Sequence, residues 1–461
     1  MPGSPKPAAK QGLIVLCTAT FLVPFMGSAL NLALPEISTS FSMSAVTVTW
    51  MATAYLISTA VFQIPFARVA DLAGRKKVFL WGVFIFSLCT FLCGFAASAA
   101  ILIALRFLSG VGSAMMFGTN IAILTSLFAP EKRGRALGIN TAVVYAALAA
   151  GPFAGGICTH YFGWQSIFFS CAGVGVAVLL LSRFLLKDEW IEARGEKFDL
   201  QGSILYGAGL ASLIYGFSSL PHMRGVVCLT AGAALFAVFV RLEKRHACPV
   251  FNVRLFSGNR VFALSSVAAL INYAATSAIV FMLSFYLQYV RGIDARHAGL
   301  ILISQACVQS VCSLIAGGLS DRCSPSKTAT CGMCIIVAGI AGLTFLNQDT
   351  PVGWIMALLA VLGTGFGVFS SPNTAVIMGS VEKRYYTQAS ATTGTMRLTG
   401  QAVSMGIAGM SISWHVGNRK IVPELYPDFM QSMHTTFIVF VILCAVGVYA
   451  SMARTGKTGN R

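Results

Sequence analysis

Residues 67–77 read Ala67-Arg68-Val69-Ala70-Asp71-Leu72-Ala73-Gly74-Arg75-Lys76-Lys77, a short charged loop between two long apolar runs. A shorter echo, Gly317-Gly318-Leu319-Ser320-Asp321-Arg322, follows at an offset of 250 residues, counted from Asp71 to Asp321. Glu131-Lys132-Arg133 likewise returns as Glu382-Lys383-Arg384, at an offset of 251. Landmarks repeated at one period indicate internal duplication. The sequence therefore predicts a helical membrane protein built from two related halves.

The composition restricts the classes of protein to which the chain can belong. Of its 461 residues, 56% are hydrophobic and only 10% are charged, and the mean hydropathy is +0.77. Soluble domains carry about 25% charged residues, so much of this surface must face lipid. The net charge of +17 does not indicate nucleic-acid binding, because the basic residues lie in short loops between apolar runs.

Fourteen apolar stretches have the length of a membrane span, about 20 residues, and the even number places both termini on one side. Of the 32 Lys and Arg residues, 25 lie in the tails and loops of that side, and five lie in the opposite loops. Arg106 and Arg397 fall inside apolar stretches. The positive-inside rule then predicts a multi-pass protein of the plasma (inner) membrane with cytoplasmic termini.

The repeat also predicts the domain boundaries of an all-α membrane protein. Six spans precede Lys187 and six follow Arg260, with an extra pair between them. The expected segments are a cytoplasmic tail at 1–11, a six-helix bundle at 12–187, linkers with two inserted transmembrane helices at 188–260, a second six-helix bundle at 261–453 and a cytoplasmic tail at 454–461. A doubled bundle with a central interface is the architecture of many secondary transporters.

Asp71 and Gly74 distinguish the first loop from an ordinary basic loop. Asp71 ends the second span, and Gly74 permits a sharp turn before the basic residues. A carboxylate at this point can bind a base or a helix N-terminus of the opposite half in one conformation and release it in another. A solvated positive loop is the alternative, although it requires neither the acid nor the glycine. We predict a gate formed by Asp71, Gly74, Arg75 and Lys76, with Asp321 and Arg322 as its weaker copy.

The first loop resembles a signature of the major facilitator superfamily, G-x-x-x-D-R-x-G-R-K. Four of its residues match, whereas Ala67 replaces the leading glycine and Leu72 the arginine. Arg106, Gly110 and Gly112 resemble the R-x-x-x-G-x-G pattern of the fourth helix in that superfamily. The resemblance implies the fold of two six-helix bundles and transport by alternating access, with no cofactor and no metal site.

The fifth apolar stretch contains Gly151-Pro152-Phe153-Ala154-Gly155-Gly156, which is similar to the G-P-x-x-G-G signature of antiporters in the superfamily. Proline removes a backbone donor and bends a helix, and glycines four residues apart allow another helix to approach closely. Ordinary small-residue packing is the alternative and does not exclude a moving role. We predict a hinge formed by Gly151, Pro152, Gly155 and Gly156.

Other segments resemble the fourteen-helix drug:proton antiporter branch, of the multidrug efflux type. Asp199-Leu200-Gln201-Gly202 and Met396-Arg397-Leu398-Thr399-Gly400-Gln401 are two of them. The first helix of that branch reads D-x-T-x-x-N-x-A-L-P, but Met26 stands at the position of its acid. All fifteen acids of the chain fall in loops or at the ends of apolar stretches. The resemblance implies proton antiport, and a proton-independent uniporter or anion exchanger is the alternative.

Arg106 and Arg397 are the two formal charges predicted to lie well within the bilayer. A charge there costs about 2.5 kcal/mol or more and normally faces a cavity or a partner. Both are predicted in the substrate cavity; for Arg106 the alternative is hydrogen bonding to helix carbonyls around Asn31. Two positive charges without an acid favour a neutral or anionic cargo over a cation.

Polar and aromatic residues within the apolar stretches are further candidates for the cavity lining. Gln305 and Gln309 are four residues apart and share one helix face. Interhelical hydrogen bonds explain such residues equally well. The candidates are Asn31, Tyr55, Gln63, Asn120, Tyr145, Gln305 and Gln309.

The prediction as a whole is a secondary transporter that exports a small organic molecule, a drug or a metabolite, and not an enzyme. Its expected partners are this small-molecule substrate, protons, and the lipid bilayer, with no nucleic acid, and the chain is expected to be a monomer. A non-transporting membrane receptor is the alternative from another class. An ATP-driven pump is favoured less still, because no G-x-x-x-x-G-K-[ST] loop occurs and no loop is long enough to hold a nucleotide-binding domain.

Overall fold

A computed structural model describes residues 7–128, 130–220, 223–245, 256, 258–319, 324–382 and 386–454. The regular structure of these residues is helical. The N-terminal half consists of α1 (Pro7–Ser40), α2 (Ala45–Ala73), α3 (Arg75–Cys93), α4 (Ala99–Leu127), α5 (Pro130–Phe162) and α6 (Gln165–Leu185). Two helices follow, α7 (Leu200–Ser218) and α8 (Met223–Glu243).

The C-terminal half consists of α9 (Arg260–Ala274), α10 (Ala278–Phe285), α11 (Ala295–Leu319), α12 (Pro325–Leu343), α13 (Val352–Gly379), α14 (Tyr386–His415) and α15 (Tyr426–Ala453). A π-helical turn, Tyr286–Val290, continues α10. We call the end of the bundle at which α1 begins and α15 ends the inner end, and the opposite end the outer end.

Twelve helical segments of the described chain are long and apolar enough to cross a membrane, and α9 with α10 forms one of them, Arg260–Val290. This establishes a multi-pass membrane protein. Helices lie at all fourteen predicted positions, but α7 and α14 are not among the twelve. In α14 the cause is visible in the sequence, because this helix combines Arg397 with many Thr, Ser and Gly residues. That α7 also spans the bilayer stays a prediction.

Side-chain caps explain where several helices begin. The first N–H groups of a helix have no intrahelical acceptor, so a preceding Ser, Asp or Asn stabilises the helix start by accepting from one of them. Ser44 accepts from the backbone N–H of Thr47 before α2, and Ser98 from that of Ile101 before α4. Asp199 caps α7 in the same way, through the N–H of Gly202 at 2.8 Å.

One of the membrane-spanning segments, Arg260–Val290, is interrupted in the structure between α9 and α10. The hydroxyls of Thr276 and Ser277 donate to the carbonyls of Asn272 and Tyr273, at 2.6 and 2.8 Å. Such local hydrogen bonds compete with the helical ladder and favour a break. The N–H of Ala278 is satisfied by the Ser404 hydroxyl of α14, at 2.9 Å.

The duplication seen in the sequence recurs in the packing of the two halves. A Cβ added to Gly82 would lie 2.9 Å from the carbonyl oxygen of Gly112, and one added to Gly332 would lie 2.8 Å from that of Gly365. Each pair allows two helices of its own half, α3 with α4 and α12 with α13, to approach at backbone distance. The same helix contact is therefore built twice, about 250 residues apart.

The α7–α8 pair lies beside the boundary between the halves. Tyr206 and Leu210 of α7 share a buried apolar cluster with Ile57 and Ile64 of α2 and with Leu398 of α14. The Tyr206 hydroxyl donates to the carbonyl of Ala60 in α2, at 3.1 Å. Helix α7 therefore contacts both halves at once.

Candidate functional site

At the outer end, α5 and α11 join the two halves at backbone distance. A Cβ on Gly156 would lie 2.6 Å from the carbonyl oxygen of Ala295, and one on Gly299 would lie 2.5 Å from that of Pro152. Neither position has room for a side chain. These residues therefore form a tight, uncharged contact between the halves, which we call the outer seam.

The other two predicted hinge residues face α1 in the same half. A Cβ on Gly151 would lie 2.5 Å from Cβ of Ser28, and one on Gly155 would lie 2.6 Å from Cα of Ala29. Helix α5 runs through Pro152 without interruption. The Gly151–Gly156 segment thus has two faces. One face packs against α1 of the same half, and the other packs against α11 of the C-terminal half.

Hydrogen bonds to backbone carbonyls extend the outer seam along α1. Pro35 has no N–H, so the carbonyl of Asn31 lacks its helical donor. The Ser284 hydroxyl of α10 donates to this carbonyl at 2.7 Å, and Gln288 donates to that of Leu32 at 3.2 Å. The Tyr289 hydroxyl donates to the carbonyl of Pro35 at 2.9 Å. Asn31 is a predicted cavity residue. In the structure, its backbone carbonyl accepts the hydrogen bond that joins the two halves.

One exposed cluster of charges accompanies the outer seam. Asp294, just before α11, hydrogen bonds to His297 and lies 3.4 Å from Nδ1 of His160 at the end of α5. Arg296 donates to the hydroxyl of Tyr161 at 2.9 Å. Partial burial raises the pKa of Asp294, but the hydrogen bond from His297 and the charges of both histidines outweigh it, so this pKa lies below its ordinary value. The cluster links α5 of one half to α11 of the other.

At the inner end, the structure brings the predicted gate residues Asp71 and Arg75 together. The Arg75 Nε donates to the Asp71 carboxylate at 2.8 Å, and its Nη1 donates to Glu192 at 2.7 Å and to Ser126 at 3.1 Å. The Arg75 side chain is 5% exposed. Glu192 belongs to the linker after α6, in which the sequence analysis predicted no site residue. Asp321 and Arg322 lie outside the described residues.

The other inner-end arginine that is buried in the described residues, Arg454, closes the C-terminal half. Its guanidinium donates to Ser265 of α9, to Asn373 of α13 and to the carbonyl of Ser326 in α12. Burial lowers the pKa of Arg454 to about 10. The sequence analysis assigned Arg454 to the cytoplasmic tail. Its oxygen partners lie on three distant helices, so no local sequence pattern reveals them.

Arg106 lies inside the N-terminal half. It is 2% exposed, and its guanidinium carbon lies 4.2 Å from the centre of the Tyr55 ring in α2. The Tyr55 hydroxyl donates to Ser113 at 2.9 Å. Nε and Nη1 of Arg106 have no hydrogen-bond partner among the described residues. The structure thus places Arg106 against an aromatic face, and not against the carbonyls around Asn31.

Arg397 occupies a different setting, at the boundary between the halves. Its guanidinium carbon lies 5.6 Å from the centre of the Phe117 ring, so a cation of α14 faces an aromatic ring of α4. Phe117 borders a narrow cleft between α1 and α4 that is also lined by Thr20 and Asn120. Asn120 itself is buried and donates to the carbonyl of Leu16 at 3.0 Å.

The three glutamines among the predicted cavity residues also differ in position, because one faces the other half and two pack within their own half. Gln63 of α2 lies 3.0 Å from the position that a Cβ on Gly394 of α14 would take, so it faces the other half. The backbones of Gln305 and Gln309 pack against Gly363 of α13, within the C-terminal half. Tyr145 lies on α5, but its side chain is outside the described part of the structure.

Two halves of membrane-spanning helices that meet at a close outer seam, with a charged loop at the inner end, are an arrangement typical of helical secondary transporters. The chain belongs to the Major Facilitator Superfamily, whose sequence model matches residues 16–405 and 265–458. It is therefore a membrane transporter of small molecules and not an enzyme.

Curated relatives cover most of the chain. The cephamycin export protein CmcT of Amycolatopsis lactamdurans is 30% identical over 472 residues, which is 98% of this chain and 94% of that protein. The riboflavin transporter RibZ of Clostridioides difficile (strain 630) is 27% identical over 369 residues, 80% of each protein.

A solved structure shows the same fold. It is a bacterial homologue of the human lysosomal transporter Spinster, in an inward-facing and unoccupied conformation, which matches with a TM-score of 0.71 and 17% identity over 98% of both chains. At this identity the likeness concerns the fold alone.

Proposed function

We propose that this transporter exports a small neutral or anionic organic molecule by alternating access, and that the molecule binds between the halves beside Arg397 and Phe117. The observation that carries the proposal is the contact between these two side chains, which belong to opposite halves. A guanidinium can hold a carboxylate or an oxygen acceptor, and the ring can stack on an apolar part of the same molecule. The names of the relatives support an organic cargo.

Proton antiport is the coupling that we propose with this function, as the drug:proton antiporter branch implies. A proton-independent uniporter or anion exchanger is the second candidate. It is favoured by the positions of the described acids, which lie in loops or within about a turn and a half of a helix end, as Glu36 and Asp71 do. No described acid lies deep in a helix, so a proton carrier at membrane depth would need another group.

The gate, the hinge and the topology belong to the same proposal. Asp71 and Arg75 form the inner gate, and the outer seam at Gly156 is the contact that opens when the halves rock. The two bundles at 12–187 and 261–453, the α7–α8 pair as an inserted transmembrane pair, cytoplasmic termini and a monomeric chain complete the arrangement.

The experiment is a flux panel of anionic, neutral and cationic compounds in proteoliposomes, with and without a pH gradient. We expect Arg397→Gln to lower the flux of anionic compounds about tenfold, which corresponds to about 1.4 kcal/mol, and to leave neutral compounds near the wild-type rate. Arg224→Gln, which removes a charge from an exposed position at the start of α8, is the matched control.

Each result of the panel has a defined meaning. Export of ethidium at a high rate, unchanged by Arg397→Gln, contradicts the proposed cargo class. Acidification of the lumen that depends on the exported substrate supports antiport, and substrate flux without any change in pH supports the uniporter.

A further inference from the structure

The linker that follows α6 covers the loop between α2 and α3. We call residues 188–196 of this linker the acidic strap. Two backbone hydrogen bonds fix it to the loop: the N–H of Arg75 donates to the carbonyl of Trp190, and the N–H of Ala193 donates to that of Asp71, both at 3.0 Å. The strap is therefore hydrogen-bonded to the loop both before and after the turn at Gly74.

Glu189 of the strap caps the start of α3. Gly74 precedes this helix and supplies no side-chain cap. The carboxylate of Glu189 instead accepts from the N–H groups of Lys76 and Lys77, at 2.8 and 3.2 Å. A negative charge at a helix N-terminus is stabilising, because it accepts from free N–H groups and opposes the helix dipole.

Gly74 is required by the same contact. Its φ of +115° disfavours any other residue, and a Cβ at this position would lie 2.7 Å from Cδ of Glu189. The glycine thus provides both the turn and the space for the carboxylate. This use of Gly74 goes beyond the sharp turn expected from the sequence.

Two more carboxylates of the strap hold the arginines of the loop. Glu192 binds Arg75 at 2.7 Å, and Glu196 binds Arg68. The Glu192 side chain is 63% exposed, whereas that of Arg75 is 5% exposed. The strap therefore covers the gate arginine on its solvent side.

The strap leads directly into α7. Asp199, three residues after its end, is the N-cap of α7, and α7 contacts α2 and α14 together. A shift of the C-terminal half against α7 can therefore reach the loop through a short, tethered segment. The segments along this route adjoin one another: α14 packs on α7, Asp199 joins α7 to the strap, and the strap is hydrogen-bonded to the loop.

We infer that the acidic strap positions the inner gate: Glu189 and Glu192 hold Arg75 and the α2–α3 loop in place, and the strap transmits movement of α7 to them. The inference rests on the proposed function only in its transport readout. Its structural readout does not depend on any substrate.

The first experiment measures hydrogen–deuterium exchange of the full chain in lipid nanodiscs. We expect Glu189→Gln and Glu192→Gln each to speed exchange several-fold in the peptide that contains residues 75–79. Asp188→Asn is the matched control, because Asp188 is an exposed acid of the same strap with no hydrogen bond or ion pair to a described residue. Unchanged exchange in both glutamine variants, or equal acceleration in the control, overturns the inference.

The second experiment tests transmission through the strap. Tyr206→Phe removes the hydrogen bond from α7 to α2 and should also speed exchange at residues 75–79. Insertion of Gly-Gly after Lys197 loosens the tether, so in that background Tyr206→Phe should no longer reach the loop. If the effect persists despite the insertion, movement reaches the loop through α2 alone and transmission by the strap is wrong.

A transport assay adds the readout that a purely structural role would not change. Glu192→Gln should lower the maximal rate several-fold and leave KM unchanged, because the strap touches the gate and not the cargo. A raised KM at an unchanged maximal rate contradicts the positioning role. Failure of the wild-type chain to transport any compound counts against the proposed function, while the exchange results continue to decide the inference.

Discussion

The two ends of this transporter hold their helices together by opposite means. At the outer end, the halves meet mainly through uncharged backbone contacts, as at Gly156 and Ala295, and through hydroxyls that donate to the carbonyls of α1, with the exposed Asp294 cluster beside them. At the inner end, Arg75 is held by Asp71 and Glu192, all from the N-terminal half and its linker. These outer contacts lie between the halves, whereas the ion pairs of Arg75 lie within one half and its linker.

This difference has a physical meaning for a moving protein. Close packing of glycine surfaces is lost abruptly when two helices separate, because dispersion contacts fall off over less than an ångström. The attraction between the buried Arg75 guanidinium and its two carboxylates falls off more gradually with distance than dispersion contacts do. The outer seam is therefore suited to two discrete states, and the inner loop to a graded response.

The largest effect is expected from a side chain placed in the outer seam. Gly156→Leu has no room beside Ala295, and overpacking of this kind costs about 1–3 kcal/mol, so transport should fall by about tenfold or more. The measurement is flux together with the labelling rate of Cys158 by an impermeant maleimide, in a background that keeps only this cysteine. Gly138→Leu on the same helix, where a Cβ meets open space, is the control. Wild-type flux in Gly156→Leu would show that the seam is not a tight contact.

The second effect concerns Arg106, which belongs to neither end. Arg106→Ala leaves a void against Tyr55 and should lower the free energy of unfolding by about 2 kcal/mol, measured by denaturant titration in mixed micelles. Arg106→Met keeps the volume and removes the unpaired N–H groups, so it should retain wild-type stability. Labelling of Cys158 should not change in either variant. Equal destabilisation by Met and Ala would mean that the charge itself is needed.

A smaller effect is expected at the junction of α10 with α1. Ser284→Ala leaves the carbonyl of Asn31, which Pro35 deprives of its helical donor, without a partner between the halves. The loss is about 1 kcal/mol, so labelling of Cys158 should rise about fivefold. Thr230→Ala is the control, since the Thr230 hydroxyl bonds only within its own helix. Equal Cys158 labelling in the two variants would show that this hydrogen bond does not stabilise the outer seam.

The smallest effect is expected from the exposed cluster at Asp294. The pKa of this carboxyl is depressed, so its stabilisation of the outer seam is present above its ordinary pKa and is lost as the pH falls through the lower, folded-state value. Asp294→Asn should raise Cys158 labelling less than about fivefold at pH 7, as is usual for exposed pairs, and not at all in strong acid. Asp349→Asn in another outer loop is the control. A difference in Cys158 labelling between Asp294→Asn and the wild type that grows as the pH falls would contradict this prediction.

Local patterns were sufficient to predict much of the fold. The apolar stretches predicted the helix positions, and the pair of Asp71 with Arg75 was identified from its loop. Helix α14 shows where hydropathy fails, because it is polar for a membrane helix yet contacts α2, α7 and α15. Glu192 was not found, since a linker acid carries no periodicity and its partner is 117 positions away.

The sequence by itself determined the duplication, the membrane environment and the confinement of acids to helix ends, because these follow from composition and from spacing along the chain. Only the tertiary structure decided that Arg106 is buried beside Tyr55 while Arg397 faces the other half, since each arginine lies inside an apolar stretch and neither sequence shows which helix it meets. The same holds for the two faces of the Gly151–Gly156 segment and for the acidic strap over Gly74. Packing and ion pairing depend on which distant helices meet, and that is a property of the folded chain alone.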